Sequence, residues 1–498
     1  MGSDLAARVV AGTTYRPRAF PGTAVPTPFE RHVLNRLGCG YARDTWAQLR
    51  EQGGARAWLA SQLDPASVPE TPVADELVGW FPRLDDSPVR RWSNGQPGVR
   101  VYESWQYARD LGNWTALRRM YSNRQVLETM ADFWNNHLHV PLNVNRSWVL
   151  RWEYDRTVRE HALGRFEDLL VATTLHPAML VYLDNAKSVR NAPNENQGRE
   201  LLELHTVGRT SGYTEAMVKD SARILSGWTV DTGTWEAYYD PARHTTGPVQ
   251  VLGFTDPNAR TDDAQLAVRY VRYLANHPAT ARMVARRLAV RFVSDTPSAD
   301  LVDHLAGVFT DSGTDIAATM RALVETDEFA ASAGGKVRTP VDDLVATVRV
   351  LGVTATRPVG AKSFAHAIAY LHRSMLLYHW PRPDGAPETN AEWASAARML
   401  ASYRMHWLLA GGYYPDTGVR YRRPASWLPQ ASLTLDAYVD HVCRLLLGRG
   451  STARDLKAVC QATGRRPAEK VTRTHPLATW QFVRLAVVLL DSPDHFVR

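Results

Sequence analysis

The sequence predicts a mainly α-helical fold: a large multi-helix globular body with one small β-hairpin element. Apolar residues recur at helical spacing along most of the 498 residues, as in Phe29, Val33, Leu34 and Leu37. Helical stretches carry stop and start signals, such as Pro193 before and Gly208 after residues 194–208. Alternation of apolar and polar residues marks one region, 228–256. No fixed-period repeat and no low-complexity segment points to another architecture.

Residues 1–27, rich in Gly, Pro and Thr, read as a flexible N-terminal arm. Residues 28–498 read as one helical domain, or as two fused halves that part near 335 or 385. The first helix starts at Pro28 and ends near Gly38. Residues 45–63 form two short helices split by Gly53-Gly54, and 85–98 form a polar loop with Pro88 and Pro97. Residues 99–139 are mostly helical, with Trp105, Leu111, Trp114, Leu117 and Met120 inward, then Val126, Leu127, Met130, Phe133 and Trp134. A helix over 142–163 follows, then a pair over 166–182 broken at Pro177, then the helices 194–208 and 215–227. In the region 228–256, Trp235, Ala237 and Tyr239 alternate with Glu236 and Tyr238, and Val249 and Val251 flank Gln250. This predicts a hairpin with His244 in its loop. Helices resume near 262 and run, with loops, to 352; residues 353–378 carry no clear division. Residues 379–387, with Pro381, Pro383, Gly385 and Pro387, form a rigid turn. Helices over about 389–411, 433–448, 452–463 and 474–490 close the chain.

Composition narrows the function classes. Hydrophobic content of 45% and charged content of 22% are ordinary for a globular protein. The net charge is +7 and nearly all of the positive charge is Arg, spread along the chain rather than gathered in a stripe. No nucleic-acid-binding motif accompanies it, so nucleic acid is not an expected partner. Cys39, Cys443 and Cys460 have no metal-site spacing, and their odd number argues against a disulfide framework. No apolar run is long enough to span a membrane. Residues 1–27 lack an apolar signal region, so the chain reads as cytoplasmic. P-loop, Rossmann, HExxH, GxSxG and EF-hand signatures are all missing, which turns attention from nucleotide cofactors, zincin chemistry and hydrolase elbows.

The stretch from Asn194 to Gly208 is the strongest pointer to a site. It sets Glu195, Arg199, Glu200, Glu203 and His205 among Leu201, Leu202, Leu204 and Val207. So apolar a helix is expected to be largely buried, and buried charge is costly unless paired or used. Glu195, Arg199 and Glu203 share one stripe at spacings of four. His205 lies about 200° round a regular helix from Glu203, so the two can hold one ion only if the helix changes course or a second segment such as His137 contributes.

The motifs around this stretch resemble a bacterial family catalogued as domain of unknown function number 1800. They run in order: Phe133-Trp134-Asn135-Asn136-His137-Leu138, Arg159 to Phe166, His176 to Asn185, the 194–208 stretch, Gly212 to Glu215 and Ala222 to Thr229. Then come His277 to Arg282, Pro383-Asp384-Gly385 and Leu490 to Phe496. The resemblance spans roughly 28–498. It implies a shared fold and site, no established reaction, and export signals in many members; this sequence either departs from that pattern or has had such a signal removed.

His137 and His205 are the candidate metal ligands, with Glu195, Arg199, Glu203 and His244 as candidate catalytic groups and Trp134 and Trp228 lining a cofactor. His139, His161 and His176 lie in neighbouring motifs. Carboxylate with imidazole suits Fe, Mn or Zn, and isolated His in a helical body also suits haem. The structural alternative makes Glu195–Arg199–Glu203 an ion-pair ladder and His205 a helix cap. Asp184-Asn185 either caps a helix or faces the site, and Thr214 is an N-cap. The functional expectation is a metal- or haem-dependent enzyme, oxidative before hydrolytic. Its pocket lies under residues 194–208, with 133–139 as floor and 228–256 as rim, for a small-molecule or peptide substrate. The alternatives are a helical scaffold that binds a partner protein, and a metal-dependent or acid/base hydrolase.

Overall fold

Helices carry the architecture of the computed structural model, which describes residues 14–96, 99, 101–144, 146–371 and 376–498. Of the expected arm, residues 1–13 lie outside the described residues. Residues 20–23 dock: the Phe20 amide donates to Asp440 (2.7 Å), and Thr23 Oγ1 lies 2.6 Å from His441 Nδ1.

The helical body opens with α1 (Pro28–Arg36), α2 (Arg43–Glu51), α3 (Ala55–Gln62), α4 (Pro72–Trp80), α5 (Pro88–Asn94), α6 (Ser104–Tyr121) and α7 (Gln125–His137). Next come α8 (Arg151–His161), α9 (Phe166–Thr174), α10 (Pro177–Tyr182), α11 (Asn196–Glu200) and α12 (Glu215–Leu225). The third group is α13 (Gln265–Ala275), α14 (Pro278–Phe292), α15 (Ala299–Asp311), α16 (Ile316–Val324), α17 (Asp327–Ala331) and α18 (Pro340–Leu351). The chain closes with α19 (Phe364–Ala367), α20 (Asn390–Trp393), α21 (Ala396–Ala410), α22 (Leu435–Leu446), α23 (Ala453–Thr463), α24 (Phe482–Leu490) and α25 (Pro493–Phe496). Among the described residues, no helix is long and apolar enough to cross a membrane.

Local chemistry sets many of these boundaries. Thr27 and Glu30 form a reciprocal capping box at the start of α1. His176, His277 and His475 each precede a Pro, and each uses Nδ1 to accept the backbone N–H two residues on, at 3.1 Å. The His-Pro motifs are therefore N-caps, in which an imidazole lone pair takes the part usually played by a Ser or Asp oxygen. Thr214 caps α12 in the ordinary way.

The region 228–256 holds two hairpins rather than one. β1 (Trp228–Val230) pairs antiparallel with β2 (Ala237–Tyr239), and β3 (Val249–Val251) pairs with β4 (Phe254–Asp256). Trp235 is not in a strand: it sits in the β1–β2 turn with φ of 65°. Two further pairings, β5 (Thr354–Ala355) with β6 (Val419–Arg420) and β7 (Ser432–Thr434) with β8 (Lys470–Thr472), join segments distant in sequence, which alternation within a short window does not reveal.

The apolar interior is two clusters. One gathers α1–α3, α7–α10, the 201–207 segment, α12 and α13–α17. The other gathers α4, α6, α18, α21, α22, α23 and α24. Between them runs a polar seam of ion pairs. Arg119 pairs with Asp342 and lies 3.5 Å from Asp132; Arg291 reaches Asp132 at 2.9 Å and Glu388 at 3.0 Å; Arg498 reaches Asp342 at 3.1 Å. Buried charges of this kind are tolerable only because each finds a partner.

Candidate active site

The end of α7 is the hub, and each residue of its motif has a task. Phe133 and Trp134 are core, and Trp134 Nε1 donates to the Ala162 carbonyl at 3.0 Å. Asn135 Nδ2 donates to Asp155 at 2.9 Å, and its oxygen accepts from Arg151 at 2.6 Å. Asn136 clamps the turn that the Pro-rich stretch predicted, donating to the Ala386 carbonyl (2.8 Å) and Glu388 (2.9 Å) and accepting from the Ala386 amide (2.6 Å). That turn lies so close that a Cβ on Gly385 would stand 2.2 Å from the Asn136 carbonyl oxygen, and Gly385 has φ of 75°. Only glycine satisfies both conditions. His137 Nε2 donates to the His205 carbonyl at 3.2 Å, and His139 Nε2 donates to the Trp380 carbonyl at 2.9 Å.

The stretch after Pro193 is not one regular helix. It is α-helical over Asn196–Glu200 and a π-helix over Leu201–His205. Thr206 closes the wide turn, its hydroxyl donating to the Leu201 carbonyl at 2.6 Å, and the Gly208 amide donates to the Leu202 carbonyl at 2.9 Å. The change of winding directs His205 inward beside His137, with ring centroids 6.5 Å apart. Short π segments recur at functional sites. Among the described residues, neither ring nitrogen of His205 makes a hydrogen bond, and His137 Nδ1 is buried without a partner.

Arg287 of α14 completes the arrangement. Among the described residues its guanidinium makes no hydrogen bond and no ion pair, and its Nε is buried. Burial lowers its proton affinity, while Glu388 and Asp384 in the clamped turn oppose that. Its charge reaches both imidazoles. Burial, then Arg287, holds His137 far below the ordinary histidine range and His205 down at about 4. Both rings are therefore neutral at neutral pH. Glu200, half-buried on α11, is shifted up by burial and by Glu203. Tyr182, raised to about 12 by burial, feels Glu200 and Asp384. Two neutral imidazoles thus lie within the field of Arg287, and Arg287 in turn lies within the field of Glu388 and Asp384.

The other sequence candidates lie elsewhere. Glu195, Arg199 and Glu203 form a ladder on the solvent side: Arg199 lies 3.5 Å from Glu195 and 3.9 Å from Glu203, and pairs bidentately with Glu215 at 2.7 and 2.8 Å. Glu203 also meets Arg209 at 3.0 Å. His244 is fully buried, its Nδ1 2.8 Å from the Ser226 carbonyl and its Nε2 2.6 Å from Asn258 Oδ1, so both nitrogens are engaged. Trp228 packs against Tyr239, its cross-strand partner in the first hairpin. His161 is half-buried at the end of α8. Asp184 takes φ of 60° and ion-pairs Lys187 at 2.8 Å, while Asn185 ties the end of α12 to β1 through the Leu225 and Trp228 carbonyls. Among the described residues, no third His, Cys, Asp or Glu joins His137 and His205 at metal-ligand spacing. Sequence reasoning passed over Arg287, which lies in a helix with Arg282, Arg286 and Arg291. Nothing local separates an unpaired Arg from paired ones. Asp384 carried a signal, since it sits in the Pro-Asp-Gly turn.

A family model described as "Protein of unknown function (DUF1800)" matches residues 32–497 of the chain. No curated protein and no solved structure matches it.

Proposed function

The chain belongs to the DUF1800 family, and on that premise we propose that it is an enzyme of acid–base chemistry acting on a small anionic substrate. The observation that carries this reading is the unpaired Arg287 guanidinium beside two neutral imidazoles. A half-buried cation without a partner is poorly solvated, and a substrate anion is a natural counter-charge for it. Binding also changes the chemistry. An anion at Arg287 cancels a charge that depresses His205, so its proton affinity rises as substrate arrives. Among the described residues both nitrogens of His205 are free of protein partners, and His205 is then the general base. His137 is a positioning residue that fixes the His205 backbone. The oxidative metal or haem reading has less support at this site, because Arg287 repels a cation from the His137–His205 pair.

The test is a melting-temperature screen against phosphate, sulfate and small carboxylates, followed by NMR titration of His205. At least one anion should raise the melting temperature and raise the His205 pKa, and Arg287→Met should abolish both effects. If no anion acts, or if Arg287→Met responds as the parent does, the reading fails.

A further inference from the structure

A second cluster lies in the other half of the molecule, away from the His137–His205 pair. Asp343 of α18, His406 of α21 and His495 of α25 are all buried, and one ligand atom from each lies within 4.8 Å of the others. Asp343 Oδ1 is 3.2 Å from His406 Nε2 and 3.4 Å from His495 Nε2. Tetrahedral ligands with bonds of about 2.0–2.1 Å stand roughly 3.3–3.4 Å apart, so these two separations, which are hydrogen-bonding distances, also match ligand atoms sharing one ion.

We propose that Asp343, His406 and His495 form a closed binding site for a first-row divalent cation, with zinc the best fit. His₂Asp is a ligand set of borderline hardness that suits Zn²⁺. The surroundings orient the ligands as metal sites require. His406 Nδ1 meets Asp491 Oδ1 at 2.6 Å, a carboxylate–histidine pair that leaves Nε2 as the ligand atom. Asp343 Oδ2 accepts from Ser402 at 2.6 Å, which leaves Oδ1 for the ion. Thr347 Oγ1 lies 2.9 Å from His495 Nε2 and holds that ring at the cluster. Asp343 and Asp491 together balance a dication. Arg398 lies 3.6 Å from the far oxygen of Asp343, on the side away from the two imidazole contacts.

The site has a clear structural purpose. Asp491 and His495 belong to the closing Leu490–Phe496 motif, whose helix is only four residues long. An ion shared by α18, α21 and α25 would pin this terminal turn to the body. Its binding energy would then be folding energy.

The experiment is metal analysis of the purified chain, with Co²⁺ titration of chelator-treated protein followed by absorption spectroscopy. Expected are about one ion per chain, visible cobalt bands saturating at equal molarity, and a melting temperature that falls on chelation and recovers with Zn²⁺. His495→Gln should lose the cobalt bands, whereas His205→Gln should keep them, which separates this site from the proposed active site. The proposal is overturned if the parent protein carries no stoichiometric metal, gives no cobalt bands and melts identically with and without chelator. The cluster would then be a hydrogen-bond network alone. Retention of the bands in His495→Gln would equally overturn the ligand assignment. Should that variant not fold, the cobalt titration of the parent still decides whether an ion binds.

Discussion

His137 donates from Nε2 to the carbonyl oxygen of His205 at 3.2 Å, which fixes the tautomer and places an unpaired lone pair on Nδ1. A carbonyl can only accept, so Nε2 carries the proton and Nδ1 does not. Because the ring is buried beside Arg287, protonation at Nδ1 is strongly disfavoured. Nitrogen-15 NMR of labelled protein should show His137 as the Nε2–H form, with no titration between about pH 8 and pH 5. Ordinary titration near pH 6.5 would show that the ring is not held as described.

Arg287 and Arg291 lie one helical turn apart on α14 and should respond oppositely to substitution. Arg291 is buried and engaged with Asp132 and Glu388, so Arg291→Met breaks two ion pairs of a buried network and costs about 3 kcal/mol. Arg287→Met removes a cation with no partner among the described residues, so stability should hold or rise while any anion response vanishes. Urea unfolding of both variants checks this. Equal destabilisation would mean that Arg287 is a structural residue.

The clamped turn gives a graded test of how the site is built. Gly385→Ala forces a Cβ to 2.2 Å from the Asn136 carbonyl oxygen in a left-handed backbone conformation. Gly464 shares that conformation, with φ of 67°, but has open space around it. Gly464→Ala should cost only the conformational term, about 1–2 kcal/mol. Gly385→Ala should cost more and should also weaken anion binding, since Asp384 and Glu388 move with the turn. Denaturation curves for the two variants, with anion titrations, separate these terms. Equal costs would mean that the turn is not in contact with α7.

Much of the fold was legible because helices announce themselves locally. The 3.6-residue period, Pro177, Gly208 and Thr214 place boundaries that depend on nearby residues only. His137 and His205 were legible as a pair because apolar surroundings make polar side chains conspicuous. The π segment was not, because nothing in Leu201–His205 differs from an α-helical sequence; tertiary contacts decide the winding. Arg287 stayed hidden for a similar reason. Whether an Arg has a partner depends on α14 meeting residues almost a hundred positions away, as Arg291 meets Glu388. Asp343, His406 and His495 are likewise spread over more than 150 residues, so no spacing rule joins them. Glu195, Arg199 and Glu203 show the converse: a regular local pattern that packs on the solvent side.

Buried neutral histidines should make the fold acid-sensitive. Burial depresses His32, His139 and His205 to about 4, and His137 further. In the unfolded chain each takes a proton near pH 6.5. Above that pH neither state is protonated and the groups leave stability unchanged. As pH falls from 6.5 toward 4, the unfolded chain binds protons that the native chain refuses, so stability declines by up to about 1.4 kcal/mol per pH unit for each group. The decline ends only where the native imidazoles themselves titrate. Calorimetry from about pH 7.5 to 4.5 should show a melting temperature that falls progressively below about pH 6.5. Near the lower end, carboxylates such as Glu128 and Asp155, held low by Arg partners against the effect of burial, add to the loss. An anion bound at Arg287 should soften the fall by raising the native pKa of His205, and Arg287→Met should soften it without any anion. A melting temperature that stays flat down to about pH 5 would show that these imidazoles are solvated and would remove the electrostatic basis for the proposed active site.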